Sequence, residues 1–253
     1  MPLPYGSASV EAVLFDLDDV LVPFQTPAAW QWAWRPQGPV LGERRVRAAV
    51  RRSLRHWDRR RWRGLTGKEP PADLAALHQQ LVSTLFAISG HPLPPEETEA
   101  VVRRLQHPAG EVERFPDVEP ALKRLQAANV PWGIATGLPN DAARWLLRRV
   151  GIDSSHLLLT GEASPTLPDR AAFRSAADRM GFPPEKVAFV GELFWSDTRA
   201  AARAGLPSLL LDRHDGWPKV QAGRIVELGG LEAALAAGGS NADAGDDSDE
   251  GDE

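Results

Sequence analysis

From residue 130 onward, short apolar runs alternate with amphipathic segments, and this alternation narrows the possible folds more than any other feature of the chain. Strands are predicted at 130–136 (VPWGIAT), 156–160 (HLLLT), 187–190 (VAFV) and 208–211, with a short one at 224–227. Helices are predicted between them, at 141–150, 169–180 and 196–204. Each helix must carry the chain back across a sheet face before the next strand begins, so the pattern predicts a parallel sheet covered by helices on both faces. One further apolar run, 10–15 (VEAVLF), stands far upstream. Between it and the alternating region the strand signal vanishes. Apolar residues at three- and four-residue spacing predict helices at 43–62, 72–89 and 95–106, and a short one at 120–128. The helical block therefore interrupts an α/β unit after its first strand.

Composition removes several chemistries. The 253 residues include no cysteine, which excludes disulfides, thiolate zinc sites and thiol nucleophiles. A hydrophobic content of 43% is enough for a substantial core. The opening residues lack a basic segment followed by a long apolar one, so no signal peptide is expected. No stretch is long and apolar enough to span a bilayer, and a cytoplasmic location with no membrane partner is the expectation. Lysine occurs at positions 68, 123, 186 and 219 alone, so arginine carries most of the positive charge.

The run at 10–15 ends in Asp16-Leu17-Asp18-Asp19-Val20-Leu21. Two carboxylates two residues apart thus arrive at the carboxyl end of a strand, where open α/β sheets place their ligands. One can attack an electrophile while the other handles a proton. Together they can hold a divalent cation through oxygen.

The motif FDLDDVL and three later segments resemble those of haloacid-dehalogenase-superfamily hydrolases, in the branch whose helical cap is inserted after the first strand. The resemblance extends over about residues 10–230. It implies a Rossmann-like three-layer parallel-sheet core formed by residues 1–22 and 114–237, with an all-helical cap at 23–113. It implies that Asp16 is the nucleophile that becomes an aspartyl-phosphate. Asp18 is then the acid that protonates the leaving oxygen and the base that later activates water. Dehalogenases of the superfamily lack an acid at the second position, so Asp18 points to phosphate chemistry. Thr136, with Gly137 beside it, matches the hydroxyl that contacts the transferring phosphoryl group. The family's next element is a Lys or Arg before the fourth strand, and here the pattern departs. Leu167 stands at the expected lysine position of Leu167-Pro168-Asp169-Arg170, and Arg170 becomes the candidate cation. The last segment, Gly191-Glu192-Leu193-Phe194-Trp195-Ser196-Asp197, carries Glu192 where a shorter aspartate is usual. The implied Mg²⁺ ligands are Asp16, the Asp18 carbonyl, Glu192 and Asp197. The longer glutamate displaces its carboxylate by roughly one C–C bond, which bears on a metal with strict octahedral preferences.

Eleven arginines lie between Arg35 and Arg63, against Glu43 and Asp58, with Trp30, Trp32, Trp34, Trp57 and Trp62 among or beside them. Such a cap suits an anionic substrate, and nucleic acid is the less favoured partner. The plainer reading is that arginine is this chain's general cation and the tryptophans fill the cap. Residues 238–253 are small and acidic and predict a disordered tail. The resulting expectation is a Mg²⁺-dependent phosphatase acting on a small phosphorylated metabolite. The alternatives are a phosphomutase, or a non-catalytic relative that binds an anionic ligand or nucleic acid through its arginines.

Overall fold

The computed structural model describes residues 3–5, 8–23, 43–68, 74–88, 90, 92–106, 112–164, 167–220 and 223–238. The acidic tail at 239–253 and the insert residues 24–42, including Trp30, Trp32, Trp34 and Arg35, lie outside the described residues.

The main sheet has six parallel strands: β3 (Ala12–Phe15), β4 (Trp132–Ala135), β5 (Leu157–Leu159), β6 (Val187–Gly191), β7 (Ser208–Leu211) and β8 (Arg224–Ile225). Their spatial order is β5-β4-β3-β6-β7-β8. The chain therefore builds outward from β3 in one direction, then returns to its other side at β6. The run predicted as one strand at 10–15 is divided. Residues Ala8–Val10 form β2, which pairs antiparallel with β1 (Leu3–Tyr5), and only Ala12–Phe15 enters the main sheet.

β3 is short and buried throughout because both of its faces meet helices. Val13 and Phe15 face a cluster containing Val118, Ala121 and Leu125 of α4 (Val118–Ala127), Leu146 and Leu147 of α5 (Asn140–Arg149), and Leu231 and Leu235 of α8 (Leu231–Ala236). Ala12 and Leu14 face the opposite cluster, with Phe173 and Ala176 of α6 (Arg170–Met180) and the alanines of α7 (Ala200–Ala204). β6 repeats this division, with Ala188 and Val190 on the first side and Val187 and Phe189 on the second. The outcome is three layers, helix–sheet–helix. Helix α6 begins at Asp169, whose carboxylate accepts from Ala171 N at 2.7 Å, and ends at Gly181 in the left-handed region.

The inserted helices are α1 (Glu43–Leu65), α2 (Leu74–Ile88) and α3 (Pro95–Gln106). They stack in sequence, α1 on α2 and α2 on α3, and the carboxyl-terminal half of α1 reaches the segment Phe194–Arg199 that follows β6. That segment is a wide, π-helical turn, where a regular helix was predicted from 196. Among the described residues no helix is long and apolar enough to cross a membrane.

Phe189 is fully buried and meets Phe173 edge to face, with ring centroids 5.0 Å apart. Phe189→Ala is expected to cost about 3–5 kcal/mol, the range for losing a core aromatic. Urea unfolding will read it as a lower midpoint with an unchanged slope.

Candidate active site

Three neighbouring strands end at the same rim. Phe15 of β3 is level with Ile134 of β4 and Val190 of β6. The next residues along each strand bring Asp16, Thr136 and Glu192 to one crevice. It lies beside the point where the strand order reverses, the usual ligand position in such sheets.

Asp16 is buried, its amide donates to Val190 O at 2.9 Å, and its Oδ1 accepts from Leu17 N at 2.7 Å. The chain then turns sharply. Leu21 N and Val22 N both donate to Leu17 O, and Asp19 N donates to Val22 O. Asp19 adopts φ 48°, a left-handed conformation that aspartate tolerates better than most residues. Leu17, Val20, Leu21 and Val22 are buried and anchor the turn. Arg213 braces it from β7's side. Its guanidinium donates to Asp19 O at 3.1 Å and Val20 O at 2.8 Å, pairs with Asp117 at 2.8 Å, and lies 4.0 Å from the Phe115 ring centroid. No spacing signal in the sequence singles out Arg213.

Thr136 is fully buried. Its Oγ1 accepts from Leu138 N at 3.2 Å, which leaves the hydroxyl proton able to donate. Gly191, at the end of β6, permits a close approach: a Cβ there would lie 2.7 Å from Asp197 Cβ. Asp197 is thereby drawn towards the crevice, and its Oδ2 accepts from Leu193 N at 3.0 Å.

Asp16, Asp18, Glu192 and Asp197 have pKa values raised well above the ordinary carboxylate range. Burial is the largest cause for each, and repulsion among these carboxylates and Asp19 or Asp58 adds to it. Asp18 Oδ1 is buried with no hydrogen-bond partner. Among the described residues, no three acidic or imidazole groups close into a ready-made metal cage. Mg²⁺ does not require one, since it uses one or two carboxylates and completes its shell with water and substrate oxygens. An all-oxygen donor set, mutually repelling and containing an orphaned buried oxygen, fits such a hard cation.

Arg170 and Arg61 occupy different places. Arg170 is exposed at the first position of α6. The guanidinium whose charge acts on the carboxylates belongs instead to Arg61 of α1. It counteracts the raised pKa values of Asp16, Asp58 and Asp197, and Nη2 donates to Leu167 O at 3.0 Å. One turn earlier, Asp58 is fully buried. Its Oδ1 accepts from Ser196 N at 2.8 Å and Ser196 Oγ at 2.6 Å, and its Oδ2 accepts from Trp195 N at 2.8 Å. Burial raises the Asp58 pKa to about 6, against the opposing effect of these donors. The insert's composition signalled a dense group of arginines, but no local pattern distinguished Arg61 within it.

The haloacid dehalogenase-like hydrolase family matches residues 10–205. Two phosphoglycolate phosphatases of Xylella fastidiosa are similar. That of strain 9a5c is 31% identical over 55% of this chain and 65% of its own length, so the match spans just under two thirds of that relative. That of strain Temecula1 is 28% identical over 81% of each chain. An (S)-2-haloacid dehalogenase of Pseudomonas fluorescens is 29% identical over 40% of this chain and 45% of its own. In three dimensions the fold resembles the putative HAD-hydrolase YfnB of Bacillus subtilis, solved bound to magnesium, with TM-score 0.65, 18% identity, and coverage of 89% of this chain and 98% of that one.

A carboxyl whose pKa is raised on folding binds its proton more tightly in the folded than in the unfolded chain. It favours folding fully below the unfolded value, about pH 4, and that contribution is lost as pH climbs through the raised folded value. Asp18→Asn removes one such group. Without divalent cation, the variant's Tm is expected to exceed the parent's by a margin that widens as pH rises above about 4 and levels off beyond the raised folded value. Added Mg²⁺ is expected to narrow that margin by stabilising the parent more. Thermal melts across this window check it, and a variant less stable than the parent at neutral pH would contradict it.

Proposed function

The chain belongs to the haloacid dehalogenase-like hydrolases, and within that family we propose that it is a Mg²⁺-dependent phosphatase of a small phosphomonoester. The observation that carries this reading is Asp18. A second carboxyl group stands two residues after Asp16 in the same crevice, with a pKa raised by burial and by Asp19 and Asp197. A pKa raised above the ordinary carboxylate range favours the protonated form that can donate to a leaving oxygen.

In the first step an oxygen of Asp16 attacks phosphorus, and the bond from phosphorus to the ester oxygen breaks. Asp18 delivers its proton to the departing alkoxide, which leaves as an alcohol. Asp18, now ionised, then takes a proton from water as that water attacks phosphorus. The Asp16–phosphate bond breaks, inorganic phosphate departs, and both groups return to their starting states. Thr136 donates its hydroxyl to a phosphoryl oxygen, and the backbone at Gly137 allows that oxygen to approach. The repulsion between an ionised Asp16 and an anionic substrate requires compensation. Mg²⁺ would be held directly by the Asp18 carbonyl and one or two of the Asp16, Glu192 and Asp197 carboxylates, with water between it and the rest, and would supply that compensation and favour in-line attack. The inserted helices serve as the cap over this crevice, and the partner is a small phosphorylated molecule rather than nucleic acid.

Hydrolysis of an aryl phosphate, and then of phosphoglycolate, tests the reading. Free phosphate released with Mg²⁺ is the expected product, and Asp16→Asn is expected to lower turnover by at least about 10³-fold, as losses of catalytic nucleophiles do. An isomerised phosphoester in place of free phosphate would indicate a mutase. Halide released from a 2-haloacid, without phosphate release from either ester, would overturn the proposal.

A further inference from the structure

We infer that Arg61, delivered from inserted helix α1, supplies the phosphoryl-binding positive charge that position 167 lacks, and that Asp58 is the residue that positions it. This inference rests on the phosphatase reading above.

Leu167 is apolar and buried, so its side chain contributes no charge to the crevice. Arg61 lies where that charge is missing. Its Nη2 donates to the carbonyl of Leu167 itself, and the same nitrogen lies 3.8 Å from the point a Cβ on Gly137 would occupy. The guanidinium therefore spans the loop before α6 and the loop after β4, next to Thr136. Its charge acts on Asp16 and Asp197. Arginine remains cationic when buried and can hold two phosphoryl oxygens in parallel, so it suits this place at least as well as a lysine.

The approach of α1 to the core is built from several contacts around Arg61. Asp58, three residues earlier, takes two backbone N–H groups and one hydroxyl from Trp195 and Ser196 at the start of the π-helical turn. Trp62, the next residue, packs against Trp195 with ring centroids 6.1 Å apart. Arg199 and Arg203 lie over the Trp62 ring at 5.9 and 5.1 Å, and Arg61 lies 5.1 Å from the Trp57 ring centroid. A buried carboxylate is costly unless its oxygens are satisfied. Asp58 is satisfied only while α1 sits against Trp195 and Ser196. The same contact that meets Asp58's hydrogen-bonding needs carries Arg61 to the Leu167 carbonyl and the Gly137 loop, so completion of the site is tied to the docking of α1.

The test uses the full chain with Mg²⁺ and an aryl phosphate. Arg61→Ala is expected to lower kcat/KM by about 10²–10³-fold, the usual loss for one transition-state donor. Guanidinium ion at sub-denaturing concentration, or Leu167→Lys in the Arg61→Ala background, is expected to restore at least about tenfold of that loss. Asp58→Ala is expected to be impaired like Arg61→Ala, and the double variant to be no worse than Arg61→Ala alone, because the two act as a unit. Circular dichroism melts establish that each variant is folded. A folded Arg61→Ala with parental kcat/KM overturns the inference, as does a loss that neither guanidinium nor Lys at 167 restores. Asp16→Asn separates the two proposals. If it fails to abolish turnover, or the parent shows none, the phosphatase reading falls. The charge assignment is then decided by calorimetric binding of inorganic phosphate with Mg²⁺. Binding by the parent that weakens at least about tenfold in Arg61→Ala sustains it. Equal binding, or none to either protein, overturns it.

Discussion

Four carboxyl groups crowd the rim of a hydrophobic sheet, and the architecture around them is a response to that cost. Asp16 and Asp197 are buried and Asp18 and Glu192 are half-buried, and each is pushed towards its protonated form by loss of water and by its neighbours. Such a cluster persists because the backbone around it is rigid. Asp16 extends a strand with neighbours on both sides, and the turn that follows is braced by the Arg213 guanidinium on two consecutive carbonyls. The concentration of negative potential is also what makes the crevice suited to a divalent cation.

The helical insert contributes to this balance at long range. Asp58 enters the core as an additional buried anion and Arg61 as a half-buried cation, one turn apart on the same helix. Asp58 is accommodated by the backbone N–H groups at the start of the turn after β6, and Arg61 by the Leu167 carbonyl and the charge of the acids. The π-helical turn widens the backbone where these contacts are made, a distortion that recurs at functional sites.

Much of this was legible in one dimension. Strand–helix alternation identified the parallel sheet because both faces of each strand are buried, and apolar runs such as VAFV report that directly. Asp16, Thr136 and Glu192 were nominated through the motifs that resemble the family's, and each lies just past an apolar run at the end of neighbouring parallel strands. The division of residues 10–15 into two strands was not legible, since an unbroken apolar run does not reveal where a strand changes partner. The π-helical turn was hidden for a similar reason: its composition is compatible with an ordinary helix start.

The identity of the cation beside Asp16 marks the boundary between the two kinds of information. The resemblance to the family places a basic residue where Leu167 stands, and Arg170 was nominated as the nearest cation in sequence, because proximity in sequence is the one distance that a sequence states. The folded chain exposes Arg170 and brings Arg61 to Leu167, across 106 positions. The alternation of apolar runs and amphipathic segments in the sequence alone determined the parallel α/β core, because each buried strand must be followed by a helix that crosses back over the sheet. Which arginine among many reaches the Leu167 carbonyl depends on how a separate helix docks, through the buried hydrogen bonds to Asp58 and the aromatic packing at Trp62. That information exists only once the tertiary contacts have formed.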